Sequence, residues 1–164
     1  MKKLVFLLAA VILATACLPK LPDLPKIVVL QEVQLPVVAQ ENELWQPENY
    51  QGQPVLVVFM GSWCPWCKRT MPAVDALAQK YAGQVEVVGA FMDAAPGPVR
   101  DVAQEHNFNT KALYNAGELA ETLGVNGLPH TMLFDKKHRI VKTWEGYHKD
   151  MEEAVGAEID KLLK

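Results

Sequence analysis

The chain has 164 residues, a formal net charge of −3 at pH 7 and 50% hydrophobic residues. This length suits one domain with a full core, and the composition is that of a globular protein rather than a disordered one. Because no block of basic residues occurs, nucleic acid is not expected as a partner.

The first sixteen residues have the character of a secretory signal peptide. Two lysines precede an apolar run from Leu4 to Ala16, which is shorter than the roughly 20 residues that a membrane-spanning helix needs. Residues 13–17 (LATAC) resemble the lipobox of bacterial lipoproteins, in which the cysteine is acylated and becomes the new N-terminus. We therefore expect a signal peptide at 1–16 and lipid attachment at Cys17. The alternative is plain cleavage that leaves Cys17 as a free thiol.

A proline-rich segment follows the predicted cleavage site. Residues 18–26 (LPKLPDLPK) contain three prolines in nine residues, and proline-rich segments are extended and semi-rigid. We predict a lipid-anchored tether at residues 17–33 and a folded domain at residues 34–164. The alternative for the proline-rich segment is a disordered stretch without a role.

Strands are predicted in five regions of the chain. Short β-rich pieces at residues 27–45 predict a hairpin or edge strands. Val55–Met60 and Val85–Met92 are apolar without alternation, which predicts strands covered on both faces. Thr131–Phe134 and Arg139–Trp144 predict two further strands joined by a turn.

Helical patterns fill the intervals between these strands. A helix is predicted at Lys68–Tyr81, with Gly83 ending it, and another at Pro98–His106, with proline at its start. Asn115 and Asp150 are predicted to cap the two helices that follow them. The alternation of strands and helices predicts a layered α/β domain.

Cys64 and Cys67 form a CxxC pair (CPWC) at the junction of a predicted strand and helix. A structural zinc site needs four protein ligands, and no second CxxC or suitably spaced histidine pair occurs in the sequence, so no metal is assigned. Two thiolates can bind cuprous ion, so a non-enzymatic copper-binding module using both cysteines remains an alternative. A static structural disulfide is another, although so short a loop gives little entropic stabilisation.

A redox-active dithiol is the interpretation that this position favours. The N-terminus of a helix offers unpaired N–H groups and a partial positive charge, which stabilise a thiolate. Cys64 is placed to attack a disulfide and Cys67, one turn further on, to resolve the mixed disulfide. Pro65 fits the first helical turn, where a missing N–H costs nothing. No cofactor is expected beyond the redox-active Cys64–Cys67 disulfide itself.

Trp63–Lys68 (WCPWCK) resembles the active site of thioredoxins. Pro72 matches the proline that kinks the family's helix, Gly127–Pro129 matches the loop with a cis proline, and Gly146 matches a glycine after the last strand. The resemblance covers about residues 35–163, and the leader together with an insert after Asp93 resembles the TlpA/ResA-like branch. It implies a thioredoxin-like fold: a central mixed β-sheet flanked by helices, with an N-terminal β extension and a central insert.

The resemblance also implies roles for residues beside the dithiol. A cis Pro129 would place the backbone of Leu128 to pair with an extended substrate segment. Trp63 and Trp66 would form a flat apolar rim that binds substrate, although packing explains Trp63 equally well.

Two positions depart from the family pattern. Val58 stands where thioredoxins carry a buried acid, and Thr70 stands where the TlpA/ResA-like branch often carries a glutamate. Such acids accept the proton of the resolving thiol, which must here go to water or to another group. Asp93 is a candidate, but a loop or cap role is the favoured interpretation. His130, directly after Pro129, is interpreted as structural rather than as a partner of the thiolate.

The sequence thus predicts a membrane-tethered, extracytoplasmic thiol–disulfide oxidoreductase of the cell envelope, facing the periplasm or the outside. The resemblance favours a reductant of protein disulfides, for example of apocytochrome c before haem attachment. A membrane redox partner would recharge the dithiol. The alternatives are a DsbA-like dithiol oxidase and the copper-binding module.

Overall fold

The computed structural model describes residues 30, 32–40 and 42–164. The signal peptide predicted at 1–16, the lipid attachment at Cys17 and most of the predicted tether lie outside the described residues. Leu30, near the end of the predicted tether, is buried in the core, and its N–H donates to the carbonyl of His138 at 2.9 Å. The folded domain therefore begins before residue 34.

A short hairpin is followed by alternating strands and helices. The hairpin consists of β1 (Leu35–Pro36) and β2 (Leu44–Trp45), and a 3-10 helix spans Pro47–Tyr50. The remaining elements are β3 (Val55–Met60), α1 (Pro65–Lys80), β4 (Glu86–Phe91), α2 (Pro96–Glu105), β5 (Lys111–Leu113), α3 (Gly117–Thr122), β6 (His130–Phe134), β7 (Ile140–Glu145) and α4 (Met151–Leu162). Within the part of the chain that the structure describes, no helix combines the length and apolar character needed to cross a membrane.

The central sheet has five strands in the order β5-β4-β3-β6-β7. β4 runs parallel to β3 and β5, whereas β6 is antiparallel to both β3 and β7. The end of β3, the start of β6 and the end of β7 therefore meet at one edge of the sheet, the edge formed by strand ends rather than by an outer strand. This edge carries the CPWC sequence, because α1 begins shortly after β3 ends.

Each face of the sheet has its own apolar core, with β3 at the centre of both. Alternate residues of β3 belong to different cores, and every β3 residue is fully buried, which explains the unbroken apolar run VLVVFM. The core on one face contains side chains of α1, α2 and α4, and the core on the other contains side chains of α3 and the N-terminal hairpin. A central mixed sheet flanked by helices is therefore confirmed.

The N-terminal segment also covers an edge of the sheet. Val38 N–H donates to the carbonyl of Ala112 at 2.9 Å, and Tyr114 N–H donates to the carbonyl of Pro36 at 3.1 Å. The outer edge of β5 is thus paired rather than open, which removes a site for association with other strands. These contacts confirm the predicted N-terminal β extension.

Several local predictions were wrong. Helices α1 and α2 begin at Pro65 and Pro96, a few residues before their predicted starts. Asn115 does not cap α3: its φ is +60°, and its N–H donates to the carbonyl of Asp93 at 2.7 Å. Asp150 does occupy the N-cap position of α4, but its side chain makes no capping hydrogen bond. Strand β5, in the central insert, was not predicted.

Candidate active site

Cys64 and Cys67 lie at the N-terminus of α1 and are joined by a disulfide, with 5.2 Å between their Cα atoms. Cys64 is the N-cap of the helix, and its Sγ accepts a hydrogen bond from Cys67 N–H at 3.1 Å. Because the first N–H groups of a helix lack partners within it, a Cys64 thiolate would be stabilised at this position once the disulfide is reduced.

The two cysteines differ in access. Cys64 is 8% exposed and Cys67 is 0% exposed, and both belong to the apolar core on the α1 side of the sheet. Of the two cysteines, only Cys64 therefore retains surface that a substrate can contact. This order of exposure agrees with the assignment of Cys64 as nucleophile and Cys67 as resolving thiol, which stays a prediction.

Two tryptophans flank the disulfide at the surface. Trp63 is 62% exposed, and its ring lies over the backbone of Gly61, where a Cβ would approach Trp63 Cε2 to 2.8 Å. Trp66 is 50% exposed and stacks on Tyr147, with 5.4 Å between ring centroids, while the guanidinium carbon of Arg69 lies 4.6 Å from its centroid. Both tryptophans are therefore exposed beside the disulfide, with Tyr147 and Arg69 packed on Trp66, and their predicted contact with substrate stays a prediction. Neither Tyr147 nor Arg69 was found from sequence.

The Leu128–Pro129 peptide bond is cis, as predicted from the resemblance. Pro129 immediately precedes β6, whose first residue pairs with Phe59, so the loop lies at the same edge of the sheet as the disulfide. Gly146 N–H donates to the carbonyl of Pro129 at 2.8 Å, and Gly146 has φ +77°, a conformation that favours glycine. Leu128 is half-buried and packs against both cores.

A buried carboxylate supports the loop before the disulfide. Asp93 Oδ2 accepts a hydrogen bond from Ser62 N–H at 3.0 Å, and Asp93 Oδ1 accepts one from Ser62 Oγ at 2.6 Å. Asp93 is 7% exposed. The loop role favoured for Asp93 is confirmed, but Ser62 was not identified because the two residues lie 31 positions apart.

The positions that depart from the family pattern are occupied by groups without acid function. Val58 is fully buried in the apolar core, and the Thr70 hydroxyl donates to the carbonyl of Trp66 at 3.0 Å.

His130 is 2% exposed, and neither of its ring nitrogens has a hydrogen-bond partner. Alternation along β6 places His130 on the α3 side of the sheet with Met132, away from the core that contains Cys67. This placement agrees with a structural role for His130.

Among the described residues, no group of three or more histidine, cysteine, aspartate or glutamate side chains is arranged to hold a metal ion. A cuprous ion held by Cys64 and Cys67 alone would not form such a group. The copper alternative is therefore distinguished by cuprous-ion binding to the cysteine variants.

The order of the sheet, its helices on both faces and the CxxC pair at the start of α1 together define a thioredoxin-like domain, as predicted. The family model of Redoxin matches residues 22–159, and the chain belongs to this family. A structure from Chlorobium tepidum, assigned as the thiol:disulfide interchange protein DsbE, superposes with a TM-score of 0.74 at 22% identity, covering 83% of this chain and 96% of that chain. The exposed lipoprotein thioredoxin of Streptococcus pneumoniae strain TIGR4 superposes with a TM-score of 0.69 at 23% identity, covering 79% and 98%.

One curated relative is the thiol-disulfide oxidoreductase ResA of Bacillus thuringiensis subsp. konkukian. It is 28% identical over 108 residues, which are 65% of this chain and 62% of the relative. The match therefore spans about three-fifths of the relative's length. The resemblance to ResA-like proteins that the sequence predicted is confirmed.

Proposed function

We propose that this protein is a thiol–disulfide oxidoreductase that reduces protein disulfides through Cys64 and Cys67. The observation that carries this proposal is a disulfide at the N-terminus of α1 in which one cysteine reaches the surface and the other is enclosed. Membership of the Redoxin family and similarity to a protein named as a thiol-disulfide oxidoreductase support it.

In the proposed reaction the reduced dithiol passes two electrons to the substrate. The Cys64 thiolate attacks one sulfur of the substrate disulfide, that bond breaks, and the other substrate sulfur leaves as a thiolate and takes up a proton. Cys67 then loses its proton and attacks Sγ of Cys64, which releases the second substrate thiol and forms the Cys64–Cys67 disulfide. Trp63, Trp66 and the backbone of Leu128, before Pro129, are the proposed contacts that orient the substrate.

We further propose that Cys17 carries a lipid and that the domain works in the cell envelope, facing the periplasm or the outside. The apolar leader and the LATAC sequence support this location. A membrane redox partner must then return two electrons to the Cys64–Cys67 disulfide. Apocytochrome c before haem attachment is the substrate that the TlpA/ResA-like resemblance favours.

Single serine substitutions test the dithiol mechanism. Cys67→Ser should trap mixed disulfides between Cys64 and envelope proteins, since nothing remains to resolve them, whereas Cys64→Ser should trap none. Both variants should lose the reduction of insulin disulfides. If neither variant changes insulin reduction and Cys67→Ser captures no partner, the redox assignment fails. The copper alternative instead predicts that both substitutions weaken cuprous-ion binding to a similar extent.

The direction of the reaction is tested by redox titration of the Cys64–Cys67 pair against glutathione. A potential near that of thioredoxin, about −270 mV, is expected for a reductant. A potential near that of DsbA, about −120 mV, would instead establish the oxidase alternative.

A further inference from the structure

We propose that Asp93 is a positioning residue that holds the loop before Cys64 and whose charge makes the Cys64–Cys67 couple more reducing. This inference rests on the proposed thiol–disulfide function and adds a residue that controls its direction. It starts from the two hydrogen bonds between the Asp93 carboxylate and Ser62.

The carboxylate fixes a turn that ends at the nucleophile. Cys64 N–H donates to the carbonyl of Gly61 at 3.0 Å, so residues 61–64 form a closed turn with Ser62 inside it. Asp93 comes two residues after the end of β4, the neighbour of β3, and binds both the backbone and the hydroxyl of Ser62. It thereby attaches the turn to the sheet.

The carboxylate is also close enough to act on Cys64 through its charge. Two residues span at most about 7 Å, and Asp93 Oδ2 lies 3.0 Å from Ser62 N. A carboxylate oxygen therefore lies within about 10 Å of the Cys64 backbone nitrogen. Both oxygens accept hydrogen bonds, the role of an ionised carboxylate. A buried negative charge at this range opposes a second negative charge on Cys64, and salt screens it only weakly.

Opposition to the thiolate shifts the redox equilibrium in one direction. A helix N-terminus stabilises the Cys64 thiolate and hence the reduced protein, and stabilisation of the reduced form makes such a couple oxidising. Asp93 acts against this effect, so it stabilises the disulfide relative to the dithiol. The residue therefore favours electron donation to a substrate.

Asp93→Asn tests the charge with little change in shape, because the amide oxygen can accept from Ser62 N–H and the amide N–H can donate to Ser62 Oγ. We expect the equilibrium constant for oxidation of the protein by glutathione to fall about tenfold, which corresponds to a potential about 30 mV higher. Alkylation of Cys64, followed by peptide mass spectrometry in the Cys67→Ser background, should reach its maximal rate at lower pH.

Ser62→Ala is the matched control, because it removes one hydrogen bond and keeps the charge. It should leave the glutathione equilibrium within about twofold of the wild type, which is small against the tenfold shift that corresponds to about 30 mV. Asp93→Ser, which also removes the charge, should reproduce the effect of Asp93→Asn and serves if that variant does not fold.

Three outcomes would overturn the assignment. The first is that both Asp93 variants have the same glutathione equilibrium constant as the wild type. The second is that Ser62→Ala shifts this constant as much as Asp93→Asn does, which would show that only the hydrogen bonds matter. In both of these cases the wild type still exchanges with glutathione. If the wild type itself does not exchange, the thiol–disulfide function fails, and the role of Asp93 fails with it.

Discussion

His130 combines deep burial with two ring nitrogens that lack hydrogen-bond partners. Burial lowers the pKa of His130, while the charge of Glu145 on the paired strand acts in the opposite direction. Because the folded-state pKa lies below the unfolded value of about 6.5, the unfolded chain binds more protons in this range. We therefore expect His130 to lower the free energy of unfolding as pH falls below about 6.5, by at most about 1.4 kcal/mol per pH unit.

His130→Leu removes this titration and should make the free energy of unfolding less dependent on pH. Chemical denaturation of the wild type and the variant at several pH values between about 5 and 8, the range in which histidine titrates, measures how the free energy of unfolding depends on pH in each. Met132→Leu is the control, because it changes a buried residue on the same face of β6 without removing a titratable group, and it should leave the pH dependence as it is in the wild type. Equal pH dependence in the wild type and His130→Leu would contradict the prediction.

Individual site residues could be predicted only where a local motif or a family pattern marks them. Cys64 and Cys67 follow from their spacing at a strand–helix junction, and the cis bond before Pro129 followed from the resemblance alone. The contact of Asp93 with Ser62 could not be predicted, because it depends on how β3 and β4 lie side by side.

The loop after β7 and the first turn of α1 meet where Tyr147 stacks on Trp66. Tyr147→Ala removes a stacking partner worth about 0.5–1.5 kcal/mol and frees the Trp66 indole beside the disulfide. If Trp66 contacts the substrate, KM for insulin should rise up to about tenfold. The equilibrium with glutathione should not change, because the sulfur atoms and α1 are unaltered.

Val141→Ala is the control for Tyr147→Ala, because Val141 is an exposed apolar residue near the other end of β7. It should leave both KM and the glutathione equilibrium unchanged. An unaltered KM in Tyr147→Ala, or the same rise in both variants, would remove Tyr147 from the substrate surface.

Tyr81, the buried residue that follows α1, contacts helix α4. Tyr81 Oη lies 3.0 Å from the carbonyl oxygen of Gly156 and 2.8 Å from Asp160 Oδ1. A Cβ at Gly156 would stand 3.1 Å from this hydroxyl. A glycine inside a helix is about 1 kcal/mol less favourable than alanine, so the close approach explains why glycine occupies this position.

A double-mutant cycle of Tyr81→Phe and Gly156→Ala tests this contact. Tyr81→Phe should lower the free energy of unfolding by about 1–2 kcal/mol, because the tyrosine hydroxyl no longer donates a hydrogen bond to α4. Gly156→Ala should bring no gain in the wild type but about 1 kcal/mol in the Tyr81→Phe background, where the space is open. Additive effects in chemical denaturation would show that the two residues do not interact.

The secondary structure could be predicted where burial leaves a local pattern. β3 was predicted because both of its faces are covered and all of its residues are apolar. β5 was missed because its three residues (KAL) become a strand only by pairing with β4 and with the N-terminal segment, neither of which a local pattern reveals. Asn115 was wrongly assigned as a cap because its φ of +60° and its hydrogen bond to the carbonyl of Asp93 depend on a contact 22 residues away in the sequence.

For the whole molecule, the predicted anchor at Cys17 is open to direct measurement. Mass spectrometry of the membrane fraction should find a mature protein whose N-terminal Cys17 carries two or three acyl chains. Cys17→Ala should move the protein out of the membrane fraction, while the matched substitution Cys64→Ala should not. A soluble mature protein with an unmodified Cys17 would contradict the prediction.

The hydrogen bond from Leu30 N–H to the carbonyl of His138 fixes where the chain enters the domain. His138 lies in the turn after β6, at the end where Phe134 pairs with Val55, and the disulfide lies beyond the opposite end of β3. A six-residue strand is about 20 Å long, so Leu30 and the disulfide lie at opposite ends of β3. If Cys17 carries a lipid, the 13 residues from Cys17 to Leu30 span at most about 45 Å and attach the domain at the end opposite the disulfide. The length of this segment therefore limits how far the reactive cysteines can lie from the bilayer.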